Sequence, residues 1–234
     1  MDRIKTNTAI ITAAGSGVRM GGGIKKQFRL LGGVPIIIRT LKPFFLCEHI
    51  DNIIITAPEE DVDYCRELIE AHYPEARKPY LVISGGAQRQ DSILAALDHC
   101  PPDTGLVFIH DGVRPFIRTD FLEELRNMAL RFKAVVPASR LKNTIKQVSG
   151  EYIDKTLARD RLIQVFTPQV FDFQLLINSY DKAYSDGFTS TDDSALVEYY
   201  GSKVSYLLTN DLNLKITDEW DMTIAHLILE KEIF

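Results

Sequence analysis

Short apolar runs alternate with segments of helical period along most of this chain, and that alternation restricts the fold more than any other property of the sequence. Residues 9–14, 52–57, 80–83, 106–110 and 134–138 read as buried strands. Between two of them, Val62, Cys65, Leu68, Ile69 and His72 fall on one helical stripe. Strands separated by helices return in the same direction, so the sequence predicts an α/β chain built on a mostly parallel twisted sheet with helices on both faces. At 234 residues and 45% hydrophobic content the chain can bury a full core, and one domain over residues 1–234 is the expectation.

Local signals refine this plan. Pro35 is expected in the first turn of a helix ending near Cys47, where its missing N–H costs nothing. Pro43, later in the same segment, predicts a kink or an early stop. Thr119 reads as the N-cap of a helix over 120–132, with an acid early and Arg131 late, as the helix dipole prefers. Trp220, Ile224, Leu227 and Ile228 share helical spacing in 218–230, which predicts a packing helix. One segment breaks the rhythm: 143–148, a turn at Ser149-Gly150-Glu151, and 152–157 read as a hairpin inserted into the α/β pattern. A two-stranded ribbon is seldom stable alone and needs something to pack on, either its own subunit or another.

Directly after the first strand comes Ala13-Ala14-Gly15-Ser16-Gly17-Val18-Arg19-Met20-Gly21-Gly22-Gly23-Ile24-Lys25-Lys26-Gln27-Phe28. Glycines let backbone N–H groups approach phosphate oxygens, and Arg19, Lys25 and Lys26 neutralise their charge, so this loop suits a polyphosphate. It fits neither common phosphate-binding pattern. Met20 stands where the third glycine of a dinucleotide fingerprint belongs, and the next acid, Glu48, is too distant to hold a ribose. Lys26 is followed by Gln27 rather than Ser or Thr, which argues against a Walker loop.

The loop instead resembles the nucleotidyltransferase signature A-A-G-x-G-x-R-M-G followed by P-K-Q-F. Later segments extend the likeness in order across nearly the whole chain. They are Gly85-Gly86-Ala87-Gln88-Arg89-Gln90-Asp91-Ser92, His110-Asp111-Gly112-Val113-Arg114-Pro115-Phe116, Thr167-Pro168-Gln169, Thr191-Asp192-Asp193 and Asn213-Leu214-Lys215-Ile216-Thr217. Together they are similar to the cytidylyltransferases that activate methylerythritol 4-phosphate for isoprenoid synthesis. The resemblance implies a Rossmann-like nucleotidyltransferase fold with a β-arm at about 139–160. It also implies a homodimer in which the arm helps build the partner's active site.

The resemblance further implies a set of site residues. Arg19 and Lys26 match positions that hold the triphosphate and stabilise the transition state, and Lys215 matches a lysine near the α-phosphate. Ala13, Ala14, Gly15 and Gly17, with Gly85, Gly86 and Ser92, match base and ribose contacts; read apart from the resemblance, the second glycine segment is alternatively a plain strand-to-helix turn, with Arg89 as a hydrogen-bonding support of that loop. Asp111 matches an acid assigned to metal and substrate, and Asp211 is the candidate second metal-side acid. Arg114, Thr144 and Arg159 match contacts to the second substrate, Arg159 also counting among the catalytic residues. Two departures stand out: Lys25 replaces the usual proline, and Asn143 replaces the usual aspartate before Thr144.

The chemistry is consistent with these residue types. A phosphate monoester, with a second pKa near 6, is already largely ionised at neutral pH and needs no histidine base. What such a transfer needs is positioned cations and a divalent metal, Mg²⁺ or another, to bring two polyanions together. His110 reads as a packed or hydrogen-bonded residue rather than a base, and the five histidines show no metal-ligand spacing. The net charge of −5 offers no footprint for nucleic acid, so positive charge must be concentrated locally. Cys47, Cys65 and Cys100 are expected as packing residues in a reducing compartment. No apolar run or signal segment marks a membrane span or export, and the expectation is a soluble cytoplasmic enzyme taking CTP and a small phosphorylated polyol. A pentitol phosphate such as ribitol 5-phosphate is the alternative acceptor, and a nucleotide-binding protein without turnover is the third reading.

Overall fold

The computed structural model describes residues 5–15, 24–75, 77–210 and 213–233. In chain order the elements are β1 (Thr6–Thr12), β2 (Leu30–Leu31), β3 (Val34–Pro35), α1 (Ile36–Leu46), β4 (Asn52–Ala57), α2 (Val62–His72), β5 (Tyr80–Ser84), α3 (Arg89–Leu97), β6 (Thr104–Asp111) and α4 (Thr119–Phe132). There follow β7 (Ala134–Arg140), β8 (Lys146–Ser149), β9 (Tyr152–Thr156), β10 (Ile163–Val165), β11 (Gln169–Asp172), α5 (Phe173–Ser185), α6 (Asp193–Tyr200), β12 (Ser205–Leu208) and α7 (Glu219–Glu230).

Eight strands form the central sheet in the order β10-β7-β11-β6-β1-β4-β5, with β12 also paired to β7. Strands β5, β4, β1 and β6 run parallel, as does the pair β7–β12. Strand β11 inserts antiparallel between β6 and β7, and β10 adds antiparallel beyond β7.

Alternation along β1 sends Ala9 and Ile11 to one face and Ile10 to the other. The first pair joins Leu41 and Phe44 of α1, Cys65 and Ile69 of α2, and Leu122 and Leu125 of α4. Ile10 joins Ile93 and Ala96 of α3, Leu176 and Tyr180 of α5, and Leu196 of α6. Helices thus cover both faces, as the alternation predicts. Among the described residues no helix is long and apolar enough to cross a membrane.

Several local expectations are corrected. Helix α1 runs through Pro43 to Leu46 instead of stopping early, and Cys47 N–H closes on the Pro43 carbonyl. Pro35 lies just before that helix, as the last residue of β3. Thr119 is the first residue of α4, not its cap, and the Phe121 N–H is taken by Asp120. Strand β1 begins at Thr6 because the polar side chains there find partners: the Asn7 amide donates to the His49 carbonyl at 2.7 Å, and Thr8 meets Thr104 at 3.2 Å. In α7 the buried positions are Met222, Ala225 and Ile228, packed on Leu31, Ile36, Val113, Phe116 and Ile216. Trp220, Ile224 and Leu227 face outward, Trp220 being 79% exposed. Of the four residues singled out on that helix only Ile228 packs inward, because the layer beneath meets the neighbouring face.

The hairpin forms as β8 and β9, a ribbon separate from the main sheet, while residues 139 and 140 at its expected base belong to β7. All of β8 and β9 is exposed, with Tyr152 at 80% and Ile153 at 63%. Among the described residues, none of its side chains is buried against its own subunit.

Candidate active site

Strands β1 and β6 end side by side, and their last residues and the loops that follow carry the site. Thr12 pairs with Asp111 in register, and Gly112 N–H donates to the Thr12 carbonyl at 2.8 Å. Crevices beyond the carboxyl ends of parallel strands are where ligands collect in sheets of this kind.

A cavity of about 440 Å³ opens there, lined by Ala13, Ala14, Gly15, Lys26, Gly86, Arg89, Ser92, Asp111 and Lys215 among others. Gln27, which is buried, donates to the carbonyls of Ala13 at 2.7 Å and Gly15 at 3.3 Å and so fixes the start of the glycine loop. Opposite, Ser92 Oγ accepts from Gly86 N–H and donates to the Gln88 carbonyl, both at 3.0 Å. A Cβ on Gly85 would lie 2.2 Å from Ala14 Cβ, so only glycine lets the two loops approach this closely. Gly17, Arg19 and Asp211, expected here, lie outside the described residues.

A second, larger cavity of about 1220 Å³ adjoins the first. Its walls include Arg114, Arg140, Lys142, Asn143, Asn213, Lys215 and Asp221. Lys215 borders both cavities. Thr144 and Arg159 line neither: Thr144 is exposed on the way into the ribbon, and Arg159 donates to the Lys142 carbonyl at 2.6 Å. Lys25 turns away to pair with Asp61 at 2.6 Å and with Glu60.

Asp111 stands at the junction. Its Oδ2 takes Arg114 Nε at 2.9 Å and Lys215 Nζ at 3.0 Å, while Arg89 Nε lies 3.6 Å from Oδ1. Burial works to raise the Asp111 pKa, but the charges of Arg89, Lys215 and Arg114 prevail and hold it well below the usual carboxylate range. Behind Asp111 the peptide is pinned: its N–H donates to Thr167 Oγ1 at 3.0 Å. His110 Nε2 faces the Arg114 carbonyl at 3.1 Å, which can only accept, so Nε2 carries the proton. The Thr167 hydroxyl therefore donates to His110 Nδ1, 3.0 Å away. Burial pushes the His110 pKa down to about 4, so this ring is a neutral structural link rather than a base.

Much of the support is not apparent from sequence alone. Arg89 reaches across to Asp193 as well as Asp111, with Nη2 2.8 Å from Asp193 Oδ2. Gln169 Oε1 accepts from the N–H groups of Asp193 and Ser194 and fixes the start of α6. The Asn213 amide donates to the Thr167 carbonyl, and Arg114 Nη1 donates to the Asn213 carbonyl at 2.8 Å. All these residues lie in the quoted segments, but their pairing needed the fold. Chemically, Arg89, Arg114 and Lys215 gather on the ionised Asp111 carboxylate and Lys26 lines the smaller cavity beside it, an arrangement suited to anionic phosphates.

Comparison with known proteins agrees with this chemistry. The family model for IspD, 2-C-methyl-D-erythritol 4-phosphate cytidylyltransferase, matches residues 7–231. The chain is 37% identical to the Solibacter usitatus 2-C-methyl-D-erythritol 4-phosphate cytidylyltransferase over 95% of each sequence. With that of Symbiobacterium thermophilum it shares 40% identity, over 96% of this chain and 93% of the relative. Among solved structures it is similar to 4-diphosphocytidyl-2C-methyl-D-erythritol synthase from Anaerococcus prevotii. The TM-score is 0.85 at 32% identity, over 97% of this chain and 99% of that one.

Proposed function

The chain belongs to the 2-C-methyl-D-erythritol 4-phosphate cytidylyltransferase family, and on that premise we propose that it transfers the cytidylyl group of CTP to 2-C-methyl-D-erythritol 4-phosphate, releasing pyrophosphate. The observation that carries this reading is the meeting of two cavities at Lys215, beside the Asp111–Arg114 pair. One cavity takes the nucleotide and the other the acceptor, so the acceptor's phosphate can face the α-phosphorus of CTP.

In this reading Ala13, Ala14, Gly15, Gly85, Gly86 and Ser92 hold base and ribose through close backbone approach, and Gly17 is assigned to the same nucleotide contacts. Lys26 and Arg19 are assigned to the triphosphate. Lys215 bridges toward the α-phosphate, and Arg114 uses its fork on the acceptor's phosphate. An acceptor oxygen attacks the α-phosphorus while the bond to the pyrophosphate oxygen breaks. The cations stabilise charge on the equatorial and leaving oxygens, and no proton need be removed from the nucleophile.

The carboxylate of Asp111 is a hard donor beside the triphosphate space. Mg²⁺ commonly takes one or two carboxylates plus phosphate oxygens, so Asp111 fits this ion, with Asp211 as the second acid. When bound, the ion would neutralise phosphate charge.

The exposed β8–β9 ribbon supports a homodimer in which Thr144 and Arg159 serve the partner's site. One nucleotidyltransferase unit with this arm, working in the cytoplasm, completes the reading. The pentitol phosphate alternative is not favoured by the family match. The test is ³¹P NMR of a reaction containing CTP, Mg²⁺ and 2-C-methyl-D-erythritol 4-phosphate. A new diphosphate diester with free pyrophosphate is expected, and their absence with active-site binding intact would refute the reading.

A further inference from the structure

Asp193 is a buried acid outside both cavities, hydrogen-bonded through one carboxylate oxygen and ion-paired through the other. Its Oδ1 accepts from the Tyr180 hydroxyl at 2.6 Å, and its Oδ2 lies 2.8 Å from Arg89 Nη2. Tyr180 is itself fully buried, so it cannot swing away from this carboxylate. Capping does not explain the acid, because Asp192 already accepts from Ala195 N–H at the start of α6. A buried ion pair is also a poor way to gain stability compared with apolar packing.

The consequence lies at Asp111. Arg114 and Lys215 both gather on Oδ2, whereas the nearest cation to Oδ1 is Arg89 Nε, at 3.6 Å and beyond hydrogen-bond reach. Among the described residues Oδ1 receives no hydrogen bond. A guanidinium released from Asp193 has a fork that matches a carboxylate and would close on Asp111.

We propose that Asp193, fixed by Tyr180, is a positioning residue that holds Arg89 back from Asp111, leaving Oδ1 open to the divalent cation of the nucleotide complex. This rests on the proposed function for the cation but on geometry alone for the restraint. Arg89 still supplies positive potential to the cleft. It does so without occupying the oxygen.

The test is Asp193→Asn, in crystals without ligand and in kinetics, each repeated in an Arg89→Met background. In the ligand-free variant Arg89 is expected within about 3 Å of Asp111 Oδ1. Turnover should fall by about tenfold or more while KM for CTP changes by less than about threefold, the pattern of an interaction needed in the transition state. The same substitution should cost less than about twofold where Arg89 is already Met, because the residue to be restrained is gone. An Arg89 that stays in place, or an equal loss in both backgrounds, overturns the proposal. If Asp193→Asn does not fold, Tyr180→Phe removes one oxygen and is judged by the same criteria. Should the wild-type protein show no turnover with the acceptor, the functional reading fails, while the crystallographic comparison still decides this one.

Discussion

Thr167 offers the sharpest single-atom perturbation of the site. Its hydroxyl donates to His110 Nδ1 and accepts from the Asp111 N–H, each at 3.0 Å, and all three groups are buried. Thr167→Val keeps the shape and removes both bonds. A buried donor and a buried acceptor are then left unpaired, at about 1–3 kcal/mol each, or about 2–6 kcal/mol together. For a chain of this size, at about 2–4 °C per kcal/mol, that corresponds to a fall in Tm of about 4–24 °C. Thr167→Ser keeps the hydroxyl and loses only a methyl, for about 1 kcal/mol. The assay is thermal unfolding of the three proteins side by side, with CTP turnover measured on the same samples. Turnover should drop in the valine variant beyond what unfolding explains, since the pinned peptide carries Asp111. A valine variant no less stable than the serine one would refute the hydrogen-bond account.

His110 gives a pH test. Above about pH 6.5 the ring is neutral in folded and unfolded chains alike and contributes no pH dependence. Between there and its folded pKa of about 4 only the unfolded chain binds the proton, so stability falls as pH falls, by about 3 kcal/mol over the window. His110→Asn should flatten that part of the Tm-against-pH curve; an unchanged slope would assign it elsewhere. Lys26→Ala and Lys215→Ala should reduce turnover with CTP far more than they reduce Tm, because both side chains border the cleft rather than the core; parallel losses would undo their roles. An Arg159→Ala chain mixed with an Arg19→Ala chain should regain some activity if the arm serves the partner, and verified mixed dimers without recovery would place Arg159 in its own subunit's chemistry.

The parallel half of the sheet was legible because its strands are apolar on both faces. Strands β10, β11 and β12 were not, since runs of three or four residues carry too little periodicity to distinguish them from loop. The ribbon was legible because two short strand-like runs flank Ser149-Gly150-Glu151. On α7 the apolar spacing identified a helix but not its inner face, which Leu31, Val113 and Phe116 decide from distant parts of the chain. Asp111 could be found from sequence because it ends an apolar strand. Arg89 could be read only as a support for the second glycine segment; its pairing with Asp111 and Asp193 was not legible, because Asp193 is a distant residue brought close only by the packing of α5 and α6 on the sheet. The cavity shared at Lys215 is likewise a property of the fold, although the lysine itself lies in a recognisable segment.

The most direct measurement is pyrophosphate release from CTP and Mg²⁺ with 2-C-methyl-D-erythritol 4-phosphate and ribitol 5-phosphate in parallel reactions. Release with the first and little or none with the second is the expected result. Release with ribitol 5-phosphate alone would keep the charge-based mechanism and contradict the acceptor. A folded protein that binds CTP and releases pyrophosphate with neither would contradict the account of two cavities joined for transfer.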